Sequence, residues 1–404
     1  MHPAPLYLDH AATTALSAPV RAAMLAALDA EFGNPSSRHP LGARARELVE
    51  GARAALAKAV GAARADVVFT SGGTEANNLA LLGLTRAAKA GPVPTGEAQV
   101  LVGPTEHPSV RAAAEALARE GFHVERMRLD AEGQLDVAHA ATRIGPGTRV
   151  VAQMLVNNEF GTRYDVERLA RAVAARGGPT THLHIDAVQA LGKLSLDVTA
   201  LFEAPGVSGS LALSAHKVHG PKGAGALVFA RGARRPAPLV FGGGQEGDLR
   251  PGTENVPGIV GFGRAAADAT RDLAGDFAAL ERARFGFERA VAAALPSARV
   301  LVPYAAPAER ERARTSPHVL SLQVPGAPAE VWLHHLEAEG VFASAGSACQ
   351  AHSKNLSPAL LALGLDDEAA RHVLRFSFAP ETTEADCERA AQALATVAAQ
   401  LARL

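Results

Sequence analysis

Lys217 is the residue of this sequence with the clearest potential for covalent chemistry. It follows a predicted apolar strand, in the segment Ser-Ala-His-Lys-Val-His-Gly-Pro-Lys-Gly at 214–223. Packing does not explain a lysine at the end of such a strand, whereas a buried lysine with a neutral amine is a nucleophile suited to Schiff-base formation. The alternative is a lysine that points to solvent from a turn. Lys217 is therefore a candidate catalytic residue.

Asp186 ends another apolar segment, His-Leu-His-Ile-Asp at 182–186. An acid at the carboxyl end of a strand lies where open α/β sheets bind ligands, and it can act as counter-ion to a protonated ring nitrogen. It can equally cap the segment that follows. His182 and His184 share one face of this strand, but no carboxylate or cysteine at ligand spacing completes a metal site, so we expect none.

A glycine turn, Ser-Gly-Gly-Thr-Glu at 71–75, separates a predicted strand from a predicted helix. Backbone N–H groups at such a turn converge on an anion, and the beginning of the helix favours negative charge. The Thr74 hydroxyl adds a further donor. The alternative is an ordinary capped turn. The spacing of a nucleotide-binding P-loop is absent.

Cys349 is one of only two cysteines, which excludes a disulfide framework. It stands in Ser-Ala-Gly-Ser-Ala-Cys at 344–349, among small and polar residues that favour exposure over core packing. Reactivity belongs to the thiolate, which cationic groups such as His352 and Lys354 favour. Cys387 lies within a predicted C-terminal helix, where we expect a structural role.

Composition indicates a globular enzyme. The 404 residues are 48% hydrophobic and carry a formal net charge of -1, which argues against a nucleic-acid-binding protein. We find no apolar run long enough to span a membrane and no signal peptide at the start, so we expect a reducing, cytoplasmic setting.

Strand-like and helix-like segments alternate along the first two-thirds of the chain, which predicts an α/β fold with a mostly parallel central sheet flanked by helices. After Pro296 a few strands between helices predict a smaller α+β domain. The predicted strands are 67–70, 99–103, 123–128, 149–156, 182–186, 209–214, 224–230, 319–324 and 373–378. The predicted helices are 18–31, 44–60, 74–90, 109–120, 166–176, 256–295, 330–339 and 383–403.

A Schiff-base lysine, a strand-end acid, an anion-binding turn and a loop cysteine together specify a pyridoxal-phosphate site with a thiol nucleophile. The sequence resembles the cysteine desulfurases of the iron–sulfur-cluster assembly type, within the class V aminotransferase group. The resemblance covers nearly the whole chain. The segments that match in order are Tyr-Leu-Asp-His-Ala-Ala-Thr-Thr at 7–14, Phe-Gly-Asn-Pro-Ser-Ser at 32–37, Thr-Glu-His at 105–107, Asn-Asn-Glu at 157–159, Gly-Gly-Gly-Gln-Glu at 242–246 and Arg-Phe-Ser at 375–377.

The resemblance implies a fold-type I enzyme and assigns roles to individual residues. It implies a large cofactor-binding domain at 14–255 and a small domain, formed by 1–13 and 256–404, that carries the Cys349 loop. It implies that Lys217 holds pyridoxal 5'-phosphate and moves the Cα proton of the substrate. The remaining implied roles are ring contacts from Asp186, His107, Gln189 and Asn158, phosphate contacts from Gly73, Thr74, Ser214 and His216, a phosphate contact to the neighbouring subunit from Thr253, and substrate carboxylate binding by Asn34 and Arg375.

The implied reaction converts L-cysteine to L-alanine, with the sulfur taken by Cys349 as a persulfide. The resemblance also implies a homodimer and a sulfur-acceptor protein, which is a cluster scaffold, a tRNA-thiolation relay or a thiocarboxylate carrier. Selenocysteine lyase or another class V aminotransferase is the alternative activity. A non-catalytic scaffold for sulfur-relay partners is the third hypothesis, but the intact Lys217, Asp186 and Cys349 argue against it.

Overall fold

The computed structural model of the protein describes residues 5–30, 32–87, 98–204, 206–304, 314–346 and 356–403. The chain divides into two compact units. The larger unit comprises Ala15–Leu155 and Tyr164–Arg271, and the smaller comprises Met1–Thr14, Val156–Arg163 and Asp272–Leu404. Within the described residues, no helix is long and apolar enough to cross a membrane.

Strands and helices are numbered here along the whole chain. The strands are β1 (Leu6–Tyr7), β2 (Val67–Thr70), β3 (Gln99–Val102), β4 (His123–Arg126), β5 (Thr148–Met154), β6 (His182–Asp186), β7 (Ser208–Ser214), β8 (Gly225–Phe229), β9 (Arg299–Val300), β10 (Val319–Gln323), β11 (Val341–Phe342), β12 (Ser344–Ala345) and β13 (Val373–Ser377). The helices are α1 (Ala18–Ala30), α2 (Pro40–Ala59), α3 (Gly73–Asn78), α4 (Leu84–Ala87), α5 (Pro108–Arg119), α6 (Val137–Arg143), α7 (Val166–Arg176), α8 (Val198–Leu201), α9 (Val256–Ala269), α10 (Leu273–Ala294), α11 (Ala329–Ala338), α12 (Pro358–Ala362), α13 (Asp367–Arg371) and α14 (Glu384–Leu401).

The sheet of the larger unit has the strand order β2-β8-β7-β6-β5-β3-β4. Strands β4, β3, β5, β6 and β7 run parallel to one another. Strand β8 is antiparallel to both β7 and β2. Every residue of β5, β6 and β8 is buried, as expected for strands covered on both faces. The predicted mostly parallel sheet is confirmed, and its parallel strands bring the carboxyl ends of β6 and β7 to the same edge.

Helix geometry changes directly after the glycine turn. Helix α3 is followed by a π-helical turn at Leu79–Gly83 and then by α4, where the sequence predicted one regular helix. Backbone N–H groups in a π-helical turn bond one residue further back, which re-aims the side chains before it. Such turns are frequent at functional sites.

The predicted single helix over 256–295 was wrong. Helix α9 ends at Ala269, and α10 begins at Leu273 after Asp272, whose side chain accepts a hydrogen bond from Gly275 N. This cap stabilises a new helix start that the continuous apolar pattern conceals. Since α9 packs on α1 and α2, it groups with the larger unit, whereas the predicted domain boundary lay after residue 255.

The smaller unit is an α+β arrangement around an apolar core. Its antiparallel sheet has the order β12-β13-β10-β9, and β1 pairs in parallel with β11. Trp332, Phe287, Phe376 and Leu394 are fully buried in the core between this sheet and helices α10, α11 and α14. The predicted α+β character of this region agrees with the structure.

Candidate active site

Asp186 lies at the carboxyl end of β6 and is almost fully buried. Its Oδ1 accepts a hydrogen bond from Val188 N at 3.0 Å, and its Oδ2 accepts one from Asn77 Nδ2 at 2.8 Å. The capping role and the ligand-facing role are therefore compatible, because each carboxylate oxygen retains a free lone pair. Asp186 is held rigidly at the edge of the sheet where α/β folds bind ligands.

His107 caps the beginning of α5, where its Nδ1 accepts a hydrogen bond from Ser109 N. Burial lowers the pKa of His107, the negative charge of Asp186 opposes that shift, and the positive charges of Lys217 and Arg111 lower the pKa further. Charge–charge effects weaken with distance, so these groups lie near His107. The structure thus brings an imidazole, a carboxylate and a lysine from three different elements to one place.

Lys217 ends a short helical turn, Ala215–Lys217, that follows β7 directly. Burial, and then the positive charges of Lys217, Lys222 and Lys193, lower the pKa of His216 to about 4. Lys193 Nζ donates a hydrogen bond to the Lys217 carbonyl. Three of the six lysines of the chain therefore lie around His216, and their charges favour an anionic ligand.

Two glycines at the turn, Gly73 and Gly225, pack too closely for side chains. A Cβ on Gly73 would stand 2.6 Å from Val188 Cγ2, and a Cβ on Gly225 would stand 2.5 Å from the Gly72 backbone. Ser214, at the end of β7, is buried, and its Oγ lies 4.0 Å from the position of a Cβ on Gly72. The turn therefore presents bare backbone beside a serine hydroxyl, while the Thr74 side chain is exposed.

An ion pair connects the glycine turn to the loop that carries Thr253. Glu75 accepts hydrogen bonds from Ser71 N at 2.7 Å and from Arg250 Nε at 2.9 Å. Gly252 adopts a φ of 107°, a region that favours glycine, and its N–H donates to Gln245 Oε1. Thr253 itself is exposed. The Glu75–Arg250 pair thus connects the glycine turn to the loop at 250–253 without using the Thr253 hydroxyl.

Two further predicted residues belong to the larger unit. Gln189 is buried just after β6, close in sequence to Asp186. Asn34 is exposed, and its Oδ1 accepts a hydrogen bond from Ser36 N at 2.9 Å. Asn34 therefore keeps its amide donors for another group.

Arg375 and Asn158 lie in the smaller unit. Arg375 is 2% exposed, donates to Asp9 Oδ1 at 2.7 Å and to the Asn158 carbonyl at 3.1 Å, and its Nε has no hydrogen-bond partner among the described residues. A buried guanidinium with an unused N–H retains donor capacity for a carboxylate. Asp9, from the segment at 7–14, is the anion that orients it.

Of the two cysteines, only Cys387 lies within the described residues. Cys349 lies outside the described residues. Cys387 is fully buried in α14, its Sγ donates to the Ala283 carbonyl, and burial together with nearby carboxylates raises the pKa of its thiol to about 12. Cys387 is an inert thiol at neutral pH, in line with the structural role expected for it.

Sequence analysis did not identify Asn77 or Glu106 as site residues. Asn77 is buried in α3 and contacts Asp186, and Glu106 is buried beside both Asp186 and Arg111. An asparagine inside a short helix is unfavourable on propensity grounds, which is a weak signal of another role. Glu106 stands next to His107 in the Thr-Glu-His segment, so its position in the sequence was a clue.

The site fits a phosphate-bearing aromatic aldehyde. The bare backbone at Gly72 and Gly73, beside Ser214, and the lysines around His216 suit a phosphate group. Asp186 suits a protonated ring nitrogen, and Lys217 supplies the amine that binds an aldehyde. Pyridoxal 5'-phosphate has all three features.

Comparison with known proteins agrees with this chemistry. The family model described as aminotransferase class-V matches residues 6–390. A relative from Cereibacter sphaeroides named cysteine desulfurase is 37% identical over 99% of this chain and 97% of its own length. A solved NifS-like protein superposes with a TM-score of 0.86 at 28% identity, covering 98% of this chain and 100% of that one. A solved SspA in complex with cysteine has a TM-score of 0.76 at 28% identity, covering 93% and 99%.

The chain therefore belongs to the aminotransferase class-V family and, within it, to the group that contains the cysteine desulfurases. The resemblance drawn from the sequence motifs is confirmed.

Proposed function

We propose that this protein is a pyridoxal-phosphate-dependent cysteine desulfurase. The observation that carries the proposal is the grouping of Asp186, His107 and Lys217 beside the glycine turn. These are the side chains that the cofactor requires. When bound, the cofactor supplies an electron sink for a negative charge at the substrate Cα.

Most of the cofactor contacts that we propose are made by residues of the larger unit. Asp186 would pair with a protonated ring nitrogen, and His107, Gln189 and Asn158 would make the other contacts with the ring. The phosphate is bound by Gly73, Thr74, Ser214 and the neutral His216. Lys217 would hold the aldehyde and would move the Cα proton of the substrate. Lys217 needs a neutral amine for this task.

The substrate is L-cysteine, whose carboxylate is bound by Arg375 and Asn34. Arg375, buried and already oriented by Asp9, offers its remaining N–H donors in the planar geometry that suits a carboxylate. The cysteine-bound SspA structure, which this chain resembles over 93% of its length, supports this choice of substrate.

Sulfur transfer takes place at Cys349. Its thiolate attacks the substrate sulfur, an S–S bond forms, and the C–S bond breaks with its electron pair returning to carbon. That carbon takes a proton, and the product leaves as L-alanine. Cys349 retains the sulfur as a persulfide and passes it to an acceptor protein for iron–sulfur cluster, thio-cofactor or tRNA biosynthesis.

The enzyme works as a homodimer, in which Thr253 contacts the cofactor phosphate of the neighbouring subunit. The exposed position of Thr253 supports a role outside its own subunit. A reducing cytoplasm suits this chemistry, because the resting enzyme needs a free thiol and the persulfide is discharged by thiols.

The test is a comparison of Cys349→Ser with the matched control Cys387→Ala. With L-cysteine and a reductant, we expect wild type and Cys387→Ala to release equal amounts of alanine and sulfide, and Cys349→Ser to lose at least about a hundredfold in rate, the usual scale for removal of a nucleophile. Mass spectrometry after exposure to cysteine should find one added sulfur on Cys349. Full turnover of Cys349→Ser on cysteine would refute the proposal, and turnover on selenocysteine alone would favour a selenocysteine lyase.

A further inference from the structure

A row of buried histidines and serines extends from Asp186 along the central sheet. The register of β6 and β7 places His182 opposite Ser208 and His184 opposite Ser210. Both imidazoles are fully buried, and both ring nitrogens of each are hydrogen-bonded. Buried polar side chains are costly unless every group is paired, so a fully paired row inside a sheet calls for a role.

The hydrogen bonds form one continuous chain. His182 contacts Ser208 Oγ at 2.7 Å and Ser210 Oγ at 2.8 Å. His184 contacts the same Ser210 Oγ at 2.9 Å and Asn77 Oδ1 at 2.9 Å. Asn77 Nδ2 then donates to Asp186 Oδ2 at 2.8 Å. The chain thus ends on the carboxylate of the site.

The direction of every bond follows from its two ends. A carboxylate only accepts, so Asn77 presents its amide nitrogen to Asp186 and its Oδ1 to His184. His184 must therefore carry its proton on Nε2, and its Nδ1 accepts from the Ser210 hydroxyl. The same argument gives His182 a proton on Nε2, while Ser208, which accepts from Arg234 N at 2.9 Å, donates to His182 Nδ1. All the donors point toward Asp186.

A branch of the chain reaches His107. The second amide hydrogen of Asn77 is donated to Ser109 Oγ at 2.9 Å, and Ser109 Oγ lies 2.8 Å from His107 Nδ1. His107 Nδ1 also accepts from Ser109 N. The His107 proton is therefore placed on Nε2, and Asn77 connects the row to both ring-contacting residues of the site.

We propose that His182 and His184 are positioning residues that act through Asn77: their directed chain holds Asp186 as a hydrogen-bond-accepting carboxylate and His107 as the Nε2–H tautomer. The consequence for the cofactor rests on the proposed function. Aligned donors polarise one another in a low-dielectric interior, so the chain stabilises the negative charge that pairs with a ring nitrogen.

The charges around the chain favour neutral imidazoles. Burial lowers the pKa of His184 to about 3. Burial, followed by His184, Arg234 and Arg235, lowers the pKa of His182 well below its ordinary value. Glu106 and His107 are titratable groups on which the charge of Asp186 acts, and the charges of Lys217 and Arg111 act on His107 as well. A protonated imidazole would have no acceptor lone pair and would break the directed chain.

The first experiment measures the imidazole tautomers of His182 and His184 in the protein. Nitrogen-15 spectra of the labelled histidines, with and without cofactor, should contain two rings that are protonated on Nε2 only and do not titrate between about pH 5.5 and 8. Single-site variants assign the signals. A protonated imidazolium or an Nδ1–H tautomer at His182 or His184 would overturn the proposal, whether or not the enzyme binds the cofactor.

The second experiment uses three variants and the visible absorbance of the bound cofactor. His184→Leu removes the donor to Asn77 and should shift the pH midpoint of that absorbance and weaken cofactor retention by about two- to tenfold, the scale of one hydrogen bond between neutral groups. His184→Gln, whose amide nitrogen reproduces the donor, should restore most of both. His318→Leu breaks a similar buried pair with Ser316 in the smaller unit and should change neither.

The two outcomes separate a positioning role from a structural one. An unchanged midpoint in His184→Leu, or an equal change in His318→Leu, would overturn the proposal. If wild type binds no pyridoxal phosphate, the proposed function fails, whereas the nitrogen-15 spectra still decide the tautomers.

Discussion

Glu106 is a buried carboxyl group placed beside the negative charge of Asp186. Burial, and then the charge of Asp186, raise the pKa of Glu106 to about 8. Glu106 Oε1 accepts from Met154 N, while Glu106 Oε2 and Gln153 Oε1 have no hydrogen-bond partner in the described part of the chain. A protonated Glu106 removes one of two adjacent buried charges, which leaves Asp186 as the anion of the site.

The pH dependence of stability should report this proton. Because the pKa of Glu106 in the folded protein, about 8, lies above its ordinary value of 4.5, its contribution to stability is fully present below about pH 4.5 and is lost as pH rises toward 8. Glu106→Gln mimics the protonated group. The free energy of unfolding of the variant, relative to that of wild type, should therefore increase by about 1.4 kcal/mol per pH unit within that interval. Urea unfolding at pH 6, 7 and 8 measures the difference.

The control for this prediction is Glu132→Gln, at an exposed position. Its unfolding free energy should follow wild type at each pH. A constant offset between Glu106→Gln and wild type from pH 6 to 8 would contradict a protonated Glu106.

At the scale of elements, an ion pair anchors the glycine-rich segment at 242–246 to the sheet. Arg53 of α2 donates two hydrogen bonds to the Glu246 carboxylate, both at 2.7 Å, and Glu246 Oε2 accepts from Phe69 N of β2. Glu246 has a φ of 50°, a region that costs energy for a residue with a side chain. The paired carboxylate compensates that cost and holds the loop that leads to Thr253.

Glu246→Gln should destabilise the protein by about 3–5 kcal/mol, the usual cost of leaving one partner of a buried ion pair uncompensated. The side chains of Arg53 and Glu246 are only 11% and 3% exposed. Glu120→Gln, which breaks the more exposed pair with Arg86, should cost no more than about 1 kcal/mol. Chemical unfolding measures both, and equal losses would contradict the role given to Glu246.

The sequence predicted the elements that follow simple periodic patterns, and it placed Asp186, Lys217 and the glycine turn correctly at strand ends. It could not give the direction of β8, because alternation of apolar residues is the same in parallel and antiparallel strands. The break between α9 and α10 was missed since the apolar pattern continues through it. Asn77 was missed because its contact depends on the packing of α3 against β6.

At the scale of the whole molecule, several large apolar side chains of the larger unit are exposed. Phe241 is 85% exposed, Phe32 82% and Val240 61%. An open cavity of ≈ 760 Å³, lined by Ser36, Gln245 and other residues, lies against the same glycine-rich segment. Val240 and Phe241 are close to Thr253 in the sequence, and such exposed apolar groups are suited to burial against a second subunit.

Phe241→Ser should weaken the proposed homodimer by at least about tenfold, the effect expected for an aromatic anchor of an interface. Sedimentation across a concentration series measures the dissociation constant. Val331→Ser, at a 38% exposed position of α11 in the smaller unit, is the matched control and should behave as wild type. A Phe241→Ser protein with unchanged self-association would contradict this assignment of the surface.

The smaller unit is assembled from segments that are far apart in the chain. Its β1 pairs with β11, and Asp9 pairs with Arg375, 366 residues later. During synthesis on the ribosome, all residues of the larger unit emerge before β11 and β13 are made. Strand β1 therefore cannot pair until β11 has been synthesised. A nascent chain that ends before β13 thus contains the larger unit complete, whereas Asp9 has no Arg375 to pair with. Under the proposed function, such an unfinished polypeptide would lack the arginine that binds the substrate carboxylate.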